Sequence, residues 1–301
     1  MEAPVETAEV QVYSDGLRLD GRLYLPDDPV RDDHHPLVVA CSGFTGLYQI
    51  HPARFARWLT RRGYACFSVD YRGYGQSEGP RFRVLLEEQV RDIRSAVSVA
   101  VRSRHVDRRN VFLLGWAMGA GLVVDAAREL PEVAGICALN GLYDGLEFQL
   151  SHRGEAGLAE FRERIAAERA RRAVTGIAEF VDPFDVYPLD EVTRAYVRSS
   201  LNPLEAYEAT TCSFELAESL LRWSVLPAAP RLQLPLFLAH GEDNALHAPG
   251  QAVALAGAYG GPVDLHWLKG AGHTEWMQDD NPLFIDLCEQ LYRWLEGQRT
   301  R

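Results

Sequence analysis

Apolar positions along the chain follow two alternating periods. Glu9 to Ser14 and Leu19 to Leu25 switch between apolar and polar residues around Asp15-Gly16, which predicts an opening antiparallel pair with one face on a core. Pro36 to Cys41 is continuously apolar and predicts a strand buried on both faces. Tyr64 to Val69, Val111 to Leu114, Gly135 to Leu139, Leu234 to Ala239 and Val263 to Leu268 predict further short strands. Helical spacing separates them at Pro52 to Arg62, Leu85 to Arg102, Ala120 to Ala127, Gly250 to Ala258 and Pro282 to Leu295. Strands and helices alternating at this spacing predict an α/β fold with a mostly parallel central sheet and helices on both faces.

The rhythm breaks between about residues 143 and 231, a stretch too long for an ordinary connection. It is rich in helix formers and aromatics, Tyr207 among them, and Pro183, Pro188 and Pro203 are expected to separate short helices. The expected organisation is therefore a core from 1–142 and 232–301, with 143–231 inserted as a mostly helical cap. No internal repeat is visible.

Composition narrows the chemistry. The 301 residues carry a formal charge of −11, which argues against a polyanionic partner such as nucleic acid. Arginines gather at Arg162, Arg164, Arg169, Arg171 and Arg172, but Glu160, Glu163 and Glu168 lie among them, as on a solvated helix face. Lys269 is the only lysine, leaving little room for Schiff-base chemistry. The five cysteines, Cys41, Cys66, Cys137, Cys212 and Cys288, form no C-x-x-C pair and read as buried reduced thiols of a cytosolic protein. The acidic start lacks the pattern of a signal peptide, and no apolar run approaches membrane-spanning length. No G-x-G-x-x-G after the first strand, P-loop or metal-ligand spacing is present, so no cofactor and no metal are expected.

Gly115-Trp116-Ala117-Met118-Gly119 joins a predicted strand to a predicted helix and has the frame of a nucleophile elbow, with alanine where the motif carries serine. Two other strand-end loops carry groups able to work with it, His240-Gly241-Glu242-Asp243-Asn244 and Gly270-Ala271-Gly272-His273. Chemistry in an open α/β sheet collects at the carboxyl ends of strands, where all three loops fall. Asp70-Tyr71-Arg72-Gly73-Tyr74-Gly75-Gln76-Ser77 and the glycine-punctuated loop Ser42-Gly43-Phe44-Thr45-Gly46 complete the pattern. In these motifs and their order the chain resembles the α/β-hydrolase superfamily, especially bacterial capped esterase and peptidase-like members related to dienelactone hydrolases and X-prolyl peptidases.

The resemblance implies His273 as general base and the backbone N–H groups of Phe44 and Met118 as oxyanion hole. It places the acid at Asn244, with Asp243 one residue earlier, and Asp243 is the preferred partner because asparagine cannot stabilise an imidazolium. Trp116, Tyr143 and Trp223 are expected to line the substrate cavity. The Asp70 to Ser77 loop reads as structural, Cys41 as core and Ser42 as a loop contact.

Three functions fit the alanine at position 117. The chain is an inactivated form of a serine-type acyl hydrolase or acyltransferase acting on a small ester, thioester or amide. Alternatively it is a naturally serine-less enzyme using His273 and the oxyanion hole for lyase, cyclisation or proton-transfer chemistry. The third is a non-catalytic small-molecule binder.

Overall fold

The computed structural model describes residues 6–26, 34–44, 46–201, 211–274 and 276–300. Thr45 of the glycine-punctuated loop, and Pro203 and Tyr207 of the insertion, lie outside the described residues. β1 (Glu6–Ser14) and β2 (Leu17–Leu25) pair antiparallel about Asp15-Gly16. There follow β3 (His35–Cys41), α1 (His51–Thr60), β4 (Ala65–Val69), α2 (Leu86–Ala100), β5 (Val106–Trp116), α3 (Met118–Ala126) and β6 (Val133–Leu139).

The insertion begins with one long helix, α4 (Gly145–Thr175), ahead of the proline positions where the sequence predicts short helices. A long run free of proline lets one helix form, N-capped by Asp144, interrupted only at Gly154 (φ 65°, ψ 175°) and ended by left-handed Gly176. β7 (Phe180–Val181), α5 (Pro183–Val186), α6 (Glu191–Tyr196), β8 (Cys212–Ser213) and α7 (Glu215–Arg222) follow, with β7 and β8 paired. Here Pro183 opens α5 and Pro188 lies beyond its end, the positions proline tolerates. The clustered arginines of α4 meet carboxylates: Arg171 pairs with Glu168, and Arg172 with Glu215 and Glu218. The chain closes with β9 (Leu236–Gly241), α8 (Gly250–Ala258), β10 (Val263–Leu268) and α9 (Pro282–Gln298).

Among the described residues, eight strands form one sheet in the order β1-β2-β4-β3-β5-β6-β9-β10. It is parallel from β4 to β10, and β2 joins β4 antiparallel. Alternation along β5 divides the core in two. Phe112, Leu114 and Trp116 pack with Phe55 and Leu59 of α1 and Phe284, Leu287 and Leu291 of α9. Val111 and Leu113 face the other way, toward Val90 and Ile93 of α2, Leu122 and Val123 of α3 and Leu255 of α8. Each such fully buried side chain contributes about 1.5–3 kcal/mol, which clamps the strand ends where the site forms. Among the described residues no helix is long and apolar enough to cross a membrane.

Candidate active site

The turn from β5 into α3 has elbow geometry. Ala117 sits at φ 55°, ψ −123°, a conformation strained for any residue with a Cβ. The flanking glycines make the turn possible: a Cβ on Gly115 would lie 2.2 Å from Gly119 O, and one on Gly119 would lie 2.2 Å from Ser42 O. Gly43 meets the elbow directly, its Cβ position 3.1 Å from Ala117 Cβ and 3.6 Å from Met118 N. Met118 is the first residue of α3, so its N–H has no acceptor within the helix.

Ala117 opens onto a cavity of about 60 Å³ between the sheet and the insertion. Gly43, Phe44, His51, Trp116 and His273 line its core side; Phe184, Tyr187, Leu189 and Tyr196 line the other. That volume holds a few waters, so a larger ligand must displace insertion side chains. No Asp, Glu, Lys or Arg lines it among the described residues. The structure therefore brings together Ala117, Trp116, Phe44 and His273 of the residues singled out in the sequence.

His273 is 4 % exposed and tilted against the Trp116 ring at 5.8 Å. Burial, reinforced by the nearby imidazoles of His247, His240 and His51, holds it well below the usual histidine range, so it is neutral at physiological pH. Its Nδ1 has no hydrogen-bond partner among the described residues. This is the nitrogen that a triad acid would hold. Asp243, the preferred acid, is instead exposed, its backbone N–H donating to Ala271 O. Asn244 is buried but turned to its own loop, its Oδ1 accepting from His247 N at 3.0 Å. Neither side chain hydrogen-bonds His273.

The side of His273 is instead occupied by His247, whose ring lies edge-on at 4.8 Å. His247 Nδ1 lies 2.8 Å from Asn140 O, which only accepts, so Nδ1 carries the proton and Nε2 accepts from the Tyr187 hydroxyl at 2.6 Å. Tyr187 in turn stacks on Phe44 at 5.1 Å. Asn140, at φ 48° just past β6, ties three loops together: its Nδ2 donates to His273 O at 2.8 Å and its Oδ1 accepts from Gly241 N at 2.7 Å. Asn140 and His51 have no role in the site expected from the sequence, and Tyr187 counts there only among the aromatics of the insertion. Only the polar residue ending an apolar strand, at Asn140, gives any signal.

Two expected lining residues are elsewhere. Tyr143 is fully buried beside Gly141, with its N–H held by Gln251 Oε1, and Trp223 packs on Gly121 with its indole N–H donating to Asp125. Both are packing residues of the insertion's base. In the Asp70 to Ser77 loop, Asp70 and Arg72 do not meet. Asp70 accepts from Tyr48 N at 2.8 Å, while Arg72 forks onto Asp92. The cysteines are all free and buried, and burial pushes the Cys41 thiol far above its usual range. Ser42 is buried, its carbonyl accepting from the Tyr71 hydroxyl. Among the described residues no group of three His, Cys, Asp or Glu side chains is placed to hold a metal ion.

Comparison with known proteins agrees with this architecture. The chain is 25 % identical over 242 residues, 80 % of its length and 82 % of the relative, to an uncharacterised 31.7 kDa protein of the traX-finO intergenic region of Escherichia coli. It is 35 % identical to the polyketide transferase ATR5 of Stachybotrys chlorohalonatus over 38 % of this chain and 37 % of that one. Among solved structures, DcsB in complex with its substrate analogue superposes with a TM-score of 0.82 at 15 % identity, covering 98 % of this chain and all of that one. The model of the serine aminopeptidase (S33) family matches residues 32–280. With the elbow, the histidine loop and the sheet order in place, the chain belongs to the serine aminopeptidase S33 family of the α/β-hydrolase superfamily.

Proposed function

We propose that the cavity takes a neutral small-molecule ester, thioester or amide and that its chemistry is acyl hydrolysis or acyl transfer. The carbonyl oxygen would lie at the N–H groups of Phe44 and Met118, with the acyl carbon above Ala117. The observation that carries this is Ala117 itself. A strained backbone that costs about 1–3 kcal/mol presents only a methyl group to the cavity that also contains His273. A serine in the same conformation would present its hydroxyl there. That one relative is a polyketide transferase is in keeping with acyl chemistry.

Ala117 closes the covalent route in this chain. Attack then falls to water or another hydroxyl acceptor. Neutral His273 takes the acceptor's proton as its oxygen bonds to the carbonyl carbon. The resulting oxyanion is held by the two N–H groups, and the leaving group departs with the proton returned from His273. A second reading, proton abstraction beside a bound carbonyl in a lyase or cyclisation reaction, is favoured by the unpartnered Nδ1 of His273. An imidazole without an anion behind it is poorly equipped to activate a serine but serves as a simple base.

Ala117→Ser assayed with 4-nitrophenyl butyrate separates the two. Acyl chemistry predicts a rise of about 10²-fold, lost again on adding His273→Gln. It would remain short of the further 10⁴ or so that an aspartate supplies in the serine-protease triad. No rise, or one indifferent to His273, moves the site to proton-transfer chemistry.

A further inference from the structure

The cavity holds a second histidine that the triad frame does not use. His51 is the first residue of α1, is 4 % exposed and lines the same cavity as Ala117 and His273. Neither its Nδ1 nor its Nε2 has a hydrogen-bond partner among the described residues. Its ring lies 5.6 Å from that of Trp116, and His273 lies 5.8 Å from the same indole. The Trp116 Nε1 is likewise buried and unpartnered. Four orphaned ring nitrogens, two of His51, one of Trp116 and one of His273, thus belong to residues that line one small cavity.

Orphaned buried polar groups are rare, because each loses its hydration without replacement. Scattered through a core they would be a plain cost. Gathered around a cavity open to the nucleophile position, they form an unfilled set of donors and acceptors. A neutral imidazole offers one N–H donor and one acceptor, and the indole offers a donor. The walls carry no Asp, Glu, Lys or Arg among the described residues, which favours a neutral complementary group that both accepts and donates.

We infer that His51 and Trp116 form a polar subsite that binds a second oxygen-bearing group of a neutral, largely apolar ligand, such as a hydroxyl or a second carbonyl, while its reacting carbonyl sits at Ala117. This rests on the proposal that the cavity takes a neutral carbonyl compound, and it names that compound further: a hydroxy or oxo ester, thioester or amide. Burial keeps His51 neutral down to about pH 3, so the contact is a hydrogen bond and never an ion pair.

The test compares methyl 3-hydroxybutyrate with methyl butyrate on the unaltered chain, read by histidine ring ¹⁵N spectra and calorimetry. The hydroxy ester should move the His51 ring signals and bind about tenfold more tightly than the plain ester. His51→Leu should remove that preference without lowering Tm, and His51→Asn, which keeps a donor and an acceptor, should restore part of it. Equal binding of the two esters, an unmoved His51 ring, or a preference that survives His51→Leu would overturn the inference. If His51→Leu fails to fold, the spectra and the ester comparison on the unaltered chain decide. An inert Ala117→Ser variant alongside a responsive His51 would sink only the acyl-transfer reading.

Discussion

His247 and His51 are both buried imidazoles near the same cavity, and burial pushes each down to about 3. Their surroundings differ completely. His247 has both nitrogens engaged, to Asn140 O on the sheet and the Tyr187 hydroxyl on the insertion, so it joins the two parts of the fold. His51 has neither engaged among the described residues. The first is what a core does with a polar side chain it must bury; the second is what a site does with one reserved for a ligand. Burial does not tell these two imidazoles apart, but hydrogen-bond satisfaction does.

Acid should treat the two alike, and it carries the largest effect. His51, His240, His247 and His273 are neutral when folded, with values pushed down to about 3, 4, 3 and well below normal. Exposed in the unfolded chain they take up protons below about pH 6.5. The unfolded state then binds more protons, so stability falls as pH drops from about 6.5 toward 4, by at most about 1.4 kcal/mol per unit for each group. Asp70, pushed up to about 7 by burial, acts oppositely, since the folded state keeps its proton where the unfolded carboxylate has lost it. Four groups against one leave a net loss. Tm should drop clearly between pH 7 and pH 5; a flat or rising Tm would mean these imidazoles are solvated.

Substitution should pull the pair apart. His247→Leu strands Asn140 O and the Tyr187 hydroxyl and should cost about 2–5 kcal/mol in urea unfolding. Tyr187→Phe removes one hydrogen bond and leaves His247 Nε2 unpaired, for about 1–2 kcal/mol. His51→Leu loses no bond, so stability should hold within about 0.5 kcal/mol or rise. A His51→Leu penalty matching that of His247→Leu would erase the distinction.

Much of the fold was legible because it rests on periodicity. The continuous apolar runs at Pro36 to Cys41 and Val111 to Leu114 have few other uses, and they became β3 and the centre of β5. The elbow was legible because Gly115 and Gly119 are required by backbone contacts that no other residue tolerates. His51 was not, since a lone histidine before Pro52 has no pattern, and its meaning lies in the partners it lacks. The direction of Asp243 was equally hidden. A loop side chain one position from the motif points wherever the turn sends it, here into solvent. The helical character of the insertion was legible, but proline positions say where helices stop and not how far a proline-free run extends, so the length of α4 was not.

The most direct test of the site is the intact mass of Ala117→Ser after exposure to 4-nitrophenyl butyrate. On the proposed roles of the Phe44 and Met118 N–H groups and of His273, 4-nitrophenolate leaves without needing a proton while hydrolysis of the butyryl ester needs water activated by His273, so acylation should outpace deacylation. One butyryl group should therefore accumulate on the protein, map to residue 117 and disappear when His273→Gln is added. An unmodified mass, or label spread over other residues regardless of His273, would contradict a carbonyl-handling site at the elbow.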